Sequence, residues 1–362
     1  MTIKAPEPAL LPIPNIDTWE TRAVMKKTAE AHRYLAELKG VAKTIPNEGI
    51  LINTLVLQEA KHSSEIENII TTHDELFRAE LDRSSVANPA TKEVQNYSSA
   101  LKLGFSQVRK YKMIRLKDIL DIQETLENNR AGLRKLPGTD LKNAATGDVI
   151  YTPPQHPDDI VALMDNLITY INDPSICDAD ELVKMAIIHH QFESIHPFYD
   201  DNGRTGRILS MLYLVSTDLL EIPVLYLSRY LIHSKAEYYR QLQAVRETGD
   251  WESWILYMLQ GIVETAKGTV LLINQIKQLM THYKNELRTH APKIYRQELL
   301  NNLFYHPYTK IEFIVQELGI TRLTAAKYLD QLVDIGLLRK EKIGRSNFYI
   351  NEPLIQLFTE HS

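Results

Sequence analysis

The twelve residues His196-Pro-Phe-Tyr-Asp-Asp-Asn-Gly-Arg-Thr-Gly-Arg207 bring an imidazole, two carboxylates, a glycine turn and two guanidiniums together just ahead of an apolar run. Each of these has its own chemistry. His196 can take up a proton near neutral pH, and Asp200 is a hard oxygen ligand of the kind Mg2+ prefers. Asn202-Gly203 can turn backbone N–H groups toward an anion, and Arg204 and Arg207, three apart, share one face of the following helix. That helix runs through Ile208, Leu209, Met211, Leu212, Leu214 and Val215, apolar nearly all round, which predicts burial with its N-terminus at the site. A helix N-terminus behind a glycine turn and flanked by arginines is an anion site. The local reading is metal-assisted phosphate chemistry with a histidine base.

Outward from this stretch, the spacing of Leu182, Val183, Ala186, Ile187 and Phe192 predicts a helix over Asp180 to Ser194 that delivers His196 at its end. His189, His190 and Glu193 lack the order and spacing of a zinc motif and read as core or supporting residues. Gly147 to Pro154 reads as a short strand, and its two closing prolines make it an edge or a hairpin. Asp158 to Ile171 reads as a helix capped by Pro157-Asp158. In the stretch Ser228 to Arg240, Tyr238 and Tyr239 either pack as core aromatics or face a ligand's ring. Gly249-Asp-Trp251 opens a long helix to about Thr289, read as a connector.

Upstream, residues 1–16 are fixed by prolines as an extended arm that lies along the surface or a partner. A helix follows from near Thr18, with Gly40 as its stop. A second helix carries Leu51, Leu55, Leu57 and Ala60 and continues through 61–70; on spacing alone, Glu67 there is a solvated helix-face carboxylate. Residues 74–145 are mostly helical, including Glu93 to Leu103 and Leu116 to Asn128, and a loop occupies Arg130 to Gly138.

From about Asn302 the pattern changes. Thr309 to Gly319 and Thr321 to Gly336 read as two short helices ended by glycine, and Leu337 to Asn351, turning at Gly344-Arg-Ser-Asn, as a β-hairpin. Helix, turn, helix, hairpin is the winged-helix order. Basic and acidic residues balance over 302–362, so protein contacts are favoured over DNA binding, which stays an alternative.

The chain has 362 residues, enough for two or three domains. A net charge of -5 and pI near 6.2 argue against a broadly basic nucleic-acid coat. The lone cysteine, Cys177, excludes a disulfide framework and suits a reducing cytoplasm. The proline-interrupted N-terminus does not read as a signal peptide, and no stretch reads as a membrane span of roughly 20 apolar residues. The expectation is a cytoplasmic protein with no membrane partner.

His196-Pro-Phe-x-Asp-x-Asn-Gly-Arg-x-x-Arg207 resembles the signature of Fic-domain proteins, HPFx(D/E)GNGRxxR, and Phe192-Glu193-Ser-Ile195, the Gly147–Pro154 strand and Gly249-Asp-Trp251 resemble their Fic counterparts. The resemblance implies a mainly α fold: a Fic helical core with a small β-hairpin flap, followed by a C-terminal winged-helix domain. Its parts would be an N-terminal helical region over 1–110 with an inhibitory helix around 61–70, a catalytic core over 111–290 and a winged helix over 291–362. It implies a protein adenylyltransferase that moves AMP from ATP, with Mg2+, to a Tyr, Ser or Thr hydroxyl of a target protein or of itself. His196 would be the general base and Asp200 the metal ligand. Asp201, Asn202, Gly203, Arg204, Thr205, Gly206 and Arg207 would line the nucleotide. Within that set the backbone of 201–203 would cradle phosphate, Asn202 would bind the α-phosphate or complete the metal's surroundings, and Arg204 and Arg207 would hold the β- and γ-phosphates. Tyr238 would lie against the base, and Val149, Ile150 and Tyr151 would form a flap that pairs with a target segment by β-addition. Ser63-x-x-x-Glu67-Asn68 matches the inhibitory motif (S/T)xxxE(G/N) of that family, in which the glutamate pairs with the second arginine of the signature, here Arg207. One position departs from the signature. Asp201 stands where glycine is usual, and it is expected to tolerate a left-handed backbone, to point outward, and to alter nucleotide handling or the choice of donor. A DNA-binding regulator with a nucleotide-sensing Fic core is the alternative, and a homodimer remains open.

Overall fold

In the computed structural model, which describes residues 8–13, 19–81, 88–142, 146–343 and 346–360, short strands punctuate a helical chain. In order these are α1 (Arg22–Ala42), α2 (Glu48–Ile66), α3 (His73–Leu81), α4 (Pro89–Tyr111), α5 (Leu116–Glu127), β1 (Leu141–Lys142), β2 (Val149–Tyr151), α6 (Pro157–Asn172), α7 (Glu181–Ile195), α8 (Asn202–Ser216), α9 (Ser228–His233), α10 (Lys235–Thr248) and α11 (Trp251–His290). After them come α12 (Gln297–Tyr305), β3 (Tyr308–Thr309), α13 (Ile311–Leu318), α14 (Arg322–Asp334), β4 (Arg339–Ile343), β5 (Ser346–Ile350) and α15 (Glu352–Glu360).

The helices α7 and α8 have no polar face. Every residue of α7 after Glu181 is buried, as is nearly all of α8, so the two form the centre of the core and the loop joining them is held rigidly at its rim. α4 closes on α8 through Gly104, where a Cβ would stand 2.5 Å from Leu212 and 2.8 Å from Ile122.

α2 sets the position of Glu67. It starts at Asn47, whose side chain accepts from Gly49 N, and it stops at Ile66 instead of continuing to residue 70. Asn68 takes a left-handed conformation (φ 63°), with Ile69 N donating to Ser64 O and Asn68 N to Glu65 O, each at 3.0 Å. This pairing is the glycine-type helix stop in which asparagine also fits, and it makes Glu67 the last residue before the chain turns away. Gly40 is not a stop: it lies inside α1, and a Cβ there would meet nothing within 4 Å. The N-cap position of α6 is His156, whose side chain makes no cap bond, and Pro157 and Asp158 lie in its first turn instead of capping it.

α11 is more than a connector. Trp254 Nε1 donates to Ala186 O (2.8 Å) in α7, and near the other end Tyr283 OH donates to Leu337 O (2.7 Å), after α14. By length and composition α11 could cross a bilayer, contrary to the expectation, yet 61% of its apolar window is buried inside the protein.

In the C-terminal part, β3, β5 and β4 form an antiparallel sheet in that order, with Arg339 opposite Ile350 and Lys342 opposite Asn347. Thr321 caps α14 as expected, but Thr309 belongs to β3 and the preceding helix starts at Ile311. Gly344 and Arg345 of the expected turn lie outside the described residues, as do Thr18 and residues 1–7 and 14–16 of the N-terminal arm. Its described part lies along the chain itself, with Leu11 N donating to Asn166 Oδ1 (2.8 Å) and Gln191 Nε2 to Ala9 O (2.7 Å). The C-terminal part packs on α2 and α3, the helices on either side of Glu67. Asn53 of α2 donates to Tyr305 O (3.0 Å), and Phe77 of α3 contacts the rings of Tyr308 and Phe358.

Candidate active site

The loop His196–Asp201 leaves α7 and enters α8 through two left-handed residues, His196 (φ 49°) and Asp201 (φ 63°). Between them the loop is clasped by Asn202, whose Oδ1 accepts from Phe198 N (2.8 Å) and whose Nδ2 donates to Phe198 O (2.9 Å). The expectation for Asn202 is a contact with phosphate or metal. Both ends of its amide are instead committed to the loop, and Phe198 is fully buried beneath it. Asn202→Ala is expected to cost about 2 kcal/mol in denaturant unfolding, because Phe198's buried N–H and C=O both lose their partner.

Arg134 holds the other side. It is buried, and its Nε donates to His196 O (2.7 Å) while Nη2 donates to Pro154 O (2.8 Å), so one guanidinium ties the base to the root of the flap. Arg246 donates to Ser194 Oγ (3.1 Å) and Glu193 O (3.2 Å) and lies 4.1 Å over the Tyr151 ring. Burial, with the charges of Arg134 and Arg246, pushes the His196 imidazole down to about 3, well below the near-neutral value expected. The imidazole is therefore neutral at working pH.

Asp201 is the N-cap of α8, yet its side chain makes no cap bond to the first-turn N–H groups, so that turn remains an anion site. Its carboxylate points inward, not outward. It is 2% exposed and paired with Arg204, whose Nη2 also lies 3.4 Å from Glu93 and 3.8 Å from Glu127. Burial, then hydrogen bonding with Glu127, pushes the Asp201 carboxyl up, against the pull of Arg204. Asp200 is exposed and accepts from Asp201 N (2.8 Å).

Arg207 is buried and faces another acid. Its Nε donates to Ser63 Oγ (2.7 Å), and its Nη2 to Ser63 O (3.0 Å) and Glu67 Oε1 (2.8 Å). Burial works against its charge, but Glu67, together with Tyr238, Tyr97 and Glu193, more than offsets this and holds the group above the ordinary arginine range. Glu67 also lies against the first turn of α8, since a Cβ on Gly203 would fall 2.5 Å from its Oε1. A neighbouring carboxyl, Glu193, is fully buried and pushed up to about 7, first by burial.

Three family models of one kind match in succession: Fic/DOC family N-terminal over 25–106, Fic/DOC family over 113–214, and protein adenylyltransferase SoFic-like, C-terminal domain, over 279–354. The chain is a Fic-domain protein. It is similar to protein adenylyltransferase fic-1 of Caenorhabditis elegans, 28% identical over 144 residues, which are 39% of this chain and 27% of that protein. The Caenorhabditis briggsae fic-1 is 27% identical over 128 residues, 33% and 24% of the two chains. The matches thus span about a quarter of these curated relatives. The structure of a Fic family protein from Desulfovibrio desulfuricans G20 superposes with a TM-score of 0.59 at 19% identity, covering 96% of this chain and 98% of that one. Fic-1 (aa134 - 508) from C. elegans superposes at 0.53 and 20%, covering 69% and 73%. At these identities the likeness is one of fold, and it agrees with a helical Fic core carrying small hairpins.

In this Fic core, the side chains expected at the nucleotide do not all face one space. Tyr238 is a core residue, 1% exposed and bonded through its hydroxyl to His189 Nε2 (2.8 Å), while its neighbour Tyr239 is 45% exposed. Burial has made the first of the two tyrosines structural. Thr205 is buried, and Gly206 O accepts from Ser210 Oγ (2.9 Å). β1 and β2 pair antiparallel as the hairpin. Val149 and Ile150 are exposed, whereas Tyr151 is buried and anchors the flap through its hydroxyl to Ser194 O (2.9 Å). His189 and His190 are core residues as read.

Sequence alone does not point to Glu127, Arg134 or Arg246, because each acts on the motif only through tertiary proximity. Glu127, Asp200 and Asp201 each offer a carboxylate oxygen within 4.8 Å of the others. Hard oxygen donors of this kind fit Mg2+, which prefers one or two carboxylates. In the C-terminal part, Lys340 pairs with Asp330 (2.7 Å), Arg339 with Glu341 (2.6 Å), and Arg322 with Glu312. Basic groups neutralised in this way give no support to the DNA-binding alternative.

Proposed function

We propose that this chain is a protein adenylyltransferase restrained by Glu67. The observation that carries the reading is the convergence of a neutral imidazole, His196, with an uncapped helix N-terminus and two arginines on the first turns of that helix. The relatives' stated activity, protein adenylyltransferase, supports it. A Tyr, Ser or Thr hydroxyl oxygen of a target protein, or of this chain, would form a bond to the α-phosphorus of ATP. The bond from that phosphorus to the α,β-bridging oxygen would break, pyrophosphate would leave, and the hydroxyl proton would pass to His196. The first-turn N–H groups of α8 would hold phosphate oxygens, with Arg204 on the β- and Arg207 on the γ-phosphate. Asp200, with Glu127 in reach, would hold Mg2+, which neutralises charge on the phosphates. The exposed Val149–Ile150 edge would add a target strand and present its hydroxyl.

Glu67 opposes this in two ways. It occupies Arg207, and it sets a carboxylate against the helix N-terminus where phosphate would bind, so that ATP and Glu67 compete for one anion site. A single cysteine and ATP as donor fit action in the cytoplasm. The reading is tested by donor choice. The Glu67→Gly protein, offered ATP, GTP, UTP and CDP-choline, is expected to attach the nucleotide of ATP to a Tyr, Ser or Thr of itself or of protein in a lysate. Transfer from none of them, or preferentially from another donor, overturns the assignment.

A further inference from the structure

We propose that Asp201 is a specificity-determining residue of the nucleotide site, a built-in partner that occupies Arg204 and penalises nucleotides whose phosphate chain must engage that guanidinium, independently of Glu67. The inference rests on reading this as the nucleotide site. Four observations lead to it. Asp201 sits at an N-cap, where an aspartate ordinarily accepts from the first-turn N–H groups, yet it makes no such bond. Its carboxylate is turned to Arg204 instead, and both side chains are nearly inaccessible, at 2% and 5% exposed. Glu93 and Glu127 close on the same guanidinium from α4 and α5. Finally, Arg207 is held from a different element, donating to Ser63 of α2 and to Glu67 just past the end of that helix.

The two arginines are thus held by separate devices. Displacing α2 frees Arg207, but Asp201 belongs to α8 and moves with it, so Arg204 stays paired. A polyphosphate entering the site meets a guanidinium already occupied and the Asp201 carboxyl beside its β-phosphate. A monophosphate, resting on the helix N-terminus alone, meets neither as closely. The unfavourable contribution therefore grows with the length of the phosphate chain.

The experiment uses the full chain carrying Glu67→Gly and His196→Ala, so that nucleotide binds without turnover, and compares it with the same protein carrying Asp201→Asn in addition. Titration calorimetry with ATP and with AMP, each with Mg2+, reads the affinities. Asn is isosteric and tolerates the left-handed backbone, and Asp201→Gly, which suits φ 63° without a side chain, serves as the second variant. Both are expected to tighten ATP about tenfold and AMP by less than about twofold. Equal changes for the two nucleotides would mean a general structural effect. Weaker ATP binding would mean that the carboxylate helps to hold the metal. Either result overturns the inference. Transfer by Glu67→Gly with His196 intact separates the two readings. Transfer without an Asp201 effect removes only this inference, and a selective gain in ATP affinity without transfer removes the adenylyltransferase reading and leaves Asp201's role standing.

Discussion

Glu67→Gly raises the initial rate of nucleotide transfer from ATP by about ten- to 150-fold at subsaturating nucleotide. The size follows from the contact removed. Arg207 Nη2 donates to Glu67 Oε1 at 2.8 Å in a site where the arginine is 3% exposed, and a hydrogen bond to a charged group is worth about 1.5–3 kcal/mol. A γ-phosphate must displace that carboxylate before it can use the guanidinium, so removing the competitor returns a comparable amount to nucleotide binding. The change is local because Glu67 stands at the end of α2, after the helical hydrogen bonds are complete, and the stop is made by Asn68 and Ile69. Thermal melting of the variant is nevertheless expected about 1–3 kcal/mol below the parent, because the buried Arg207 guanidinium loses its charged partner while its Ser63 contacts remain. Ser63→Ala should give a smaller rise, since Arg207 keeps the Ser63 carbonyl and Glu67. Equal rates for Glu67→Gly and the parent would remove the restraint from the proposal. The helix that carries Glu67 is braced by the C-terminal part through Asn53 and Tyr305, so deleting residues 291–362 is not an equivalent way to release it.

The central stretch was legible because its groups are contiguous: a loop between two all-apolar helices has one place to go, and the rim position of His196 follows. Glu67 was legible only through the family motif, since on spacing alone it reads as a solvated carboxylate, and the deciding fact, a helix end packed against α8, is tertiary. The same limit hid Arg134, which lies in a polar loop with no periodicity and becomes a clamp only when His196 and Pro154 close around it. Asn202 and Tyr238 show the converse. Their side chains can serve ligands, but burial demands partners for every polar atom, and Phe198 and His189 claim them first. Asp201 joins both lessons. Its left-handed backbone could be expected from residue type, while its inward turn depended on an arginine one helical turn away. The long helix α11 reads as a connector because its pattern names no neighbour, and only packing reveals it as the spine joining α7 to the C-terminal sheet.

His196→Ala, introduced into the Glu67→Gly protein, is expected to lower transfer by about a thousandfold, in the range of a lost general base. Its pH dependence distinguishes this role from a structural one. Burial and the guanidiniums of Arg134 and Arg246 hold the folded imidazole to about 3, so the neutral, proton-accepting form is present at every pH above that value. kcat/KM of Glu67→Gly, which reports the free enzyme, should thus stay level from about pH 8 down to about pH 5, where an ordinary histidine would lose activity between about 7 and 6. A midpoint near 6.5 that vanishes in the Ala variant's residual activity would show that His196 behaves as an ordinary imidazole, contrary to the lowered value. Stability carries the opposite cost. The unfolded chain binds a proton at His196 near 6.5 and the folded chain does not until about 3, so folding is progressively weakened as pH falls through that window. Rates below about pH 6 therefore need a melting curve beside them. The backbone at His196 is left-handed (φ 49°), a conformation that alanine holds with strain and asparagine tolerates. His196→Asn separates the two effects: it should melt close to the parent, bind ATP as tightly as Glu67→Gly alone, and transfer no faster than His196→Ala. Recovery of transfer in His196→Asn would mean that the imidazole shapes the loop and does not take the proton.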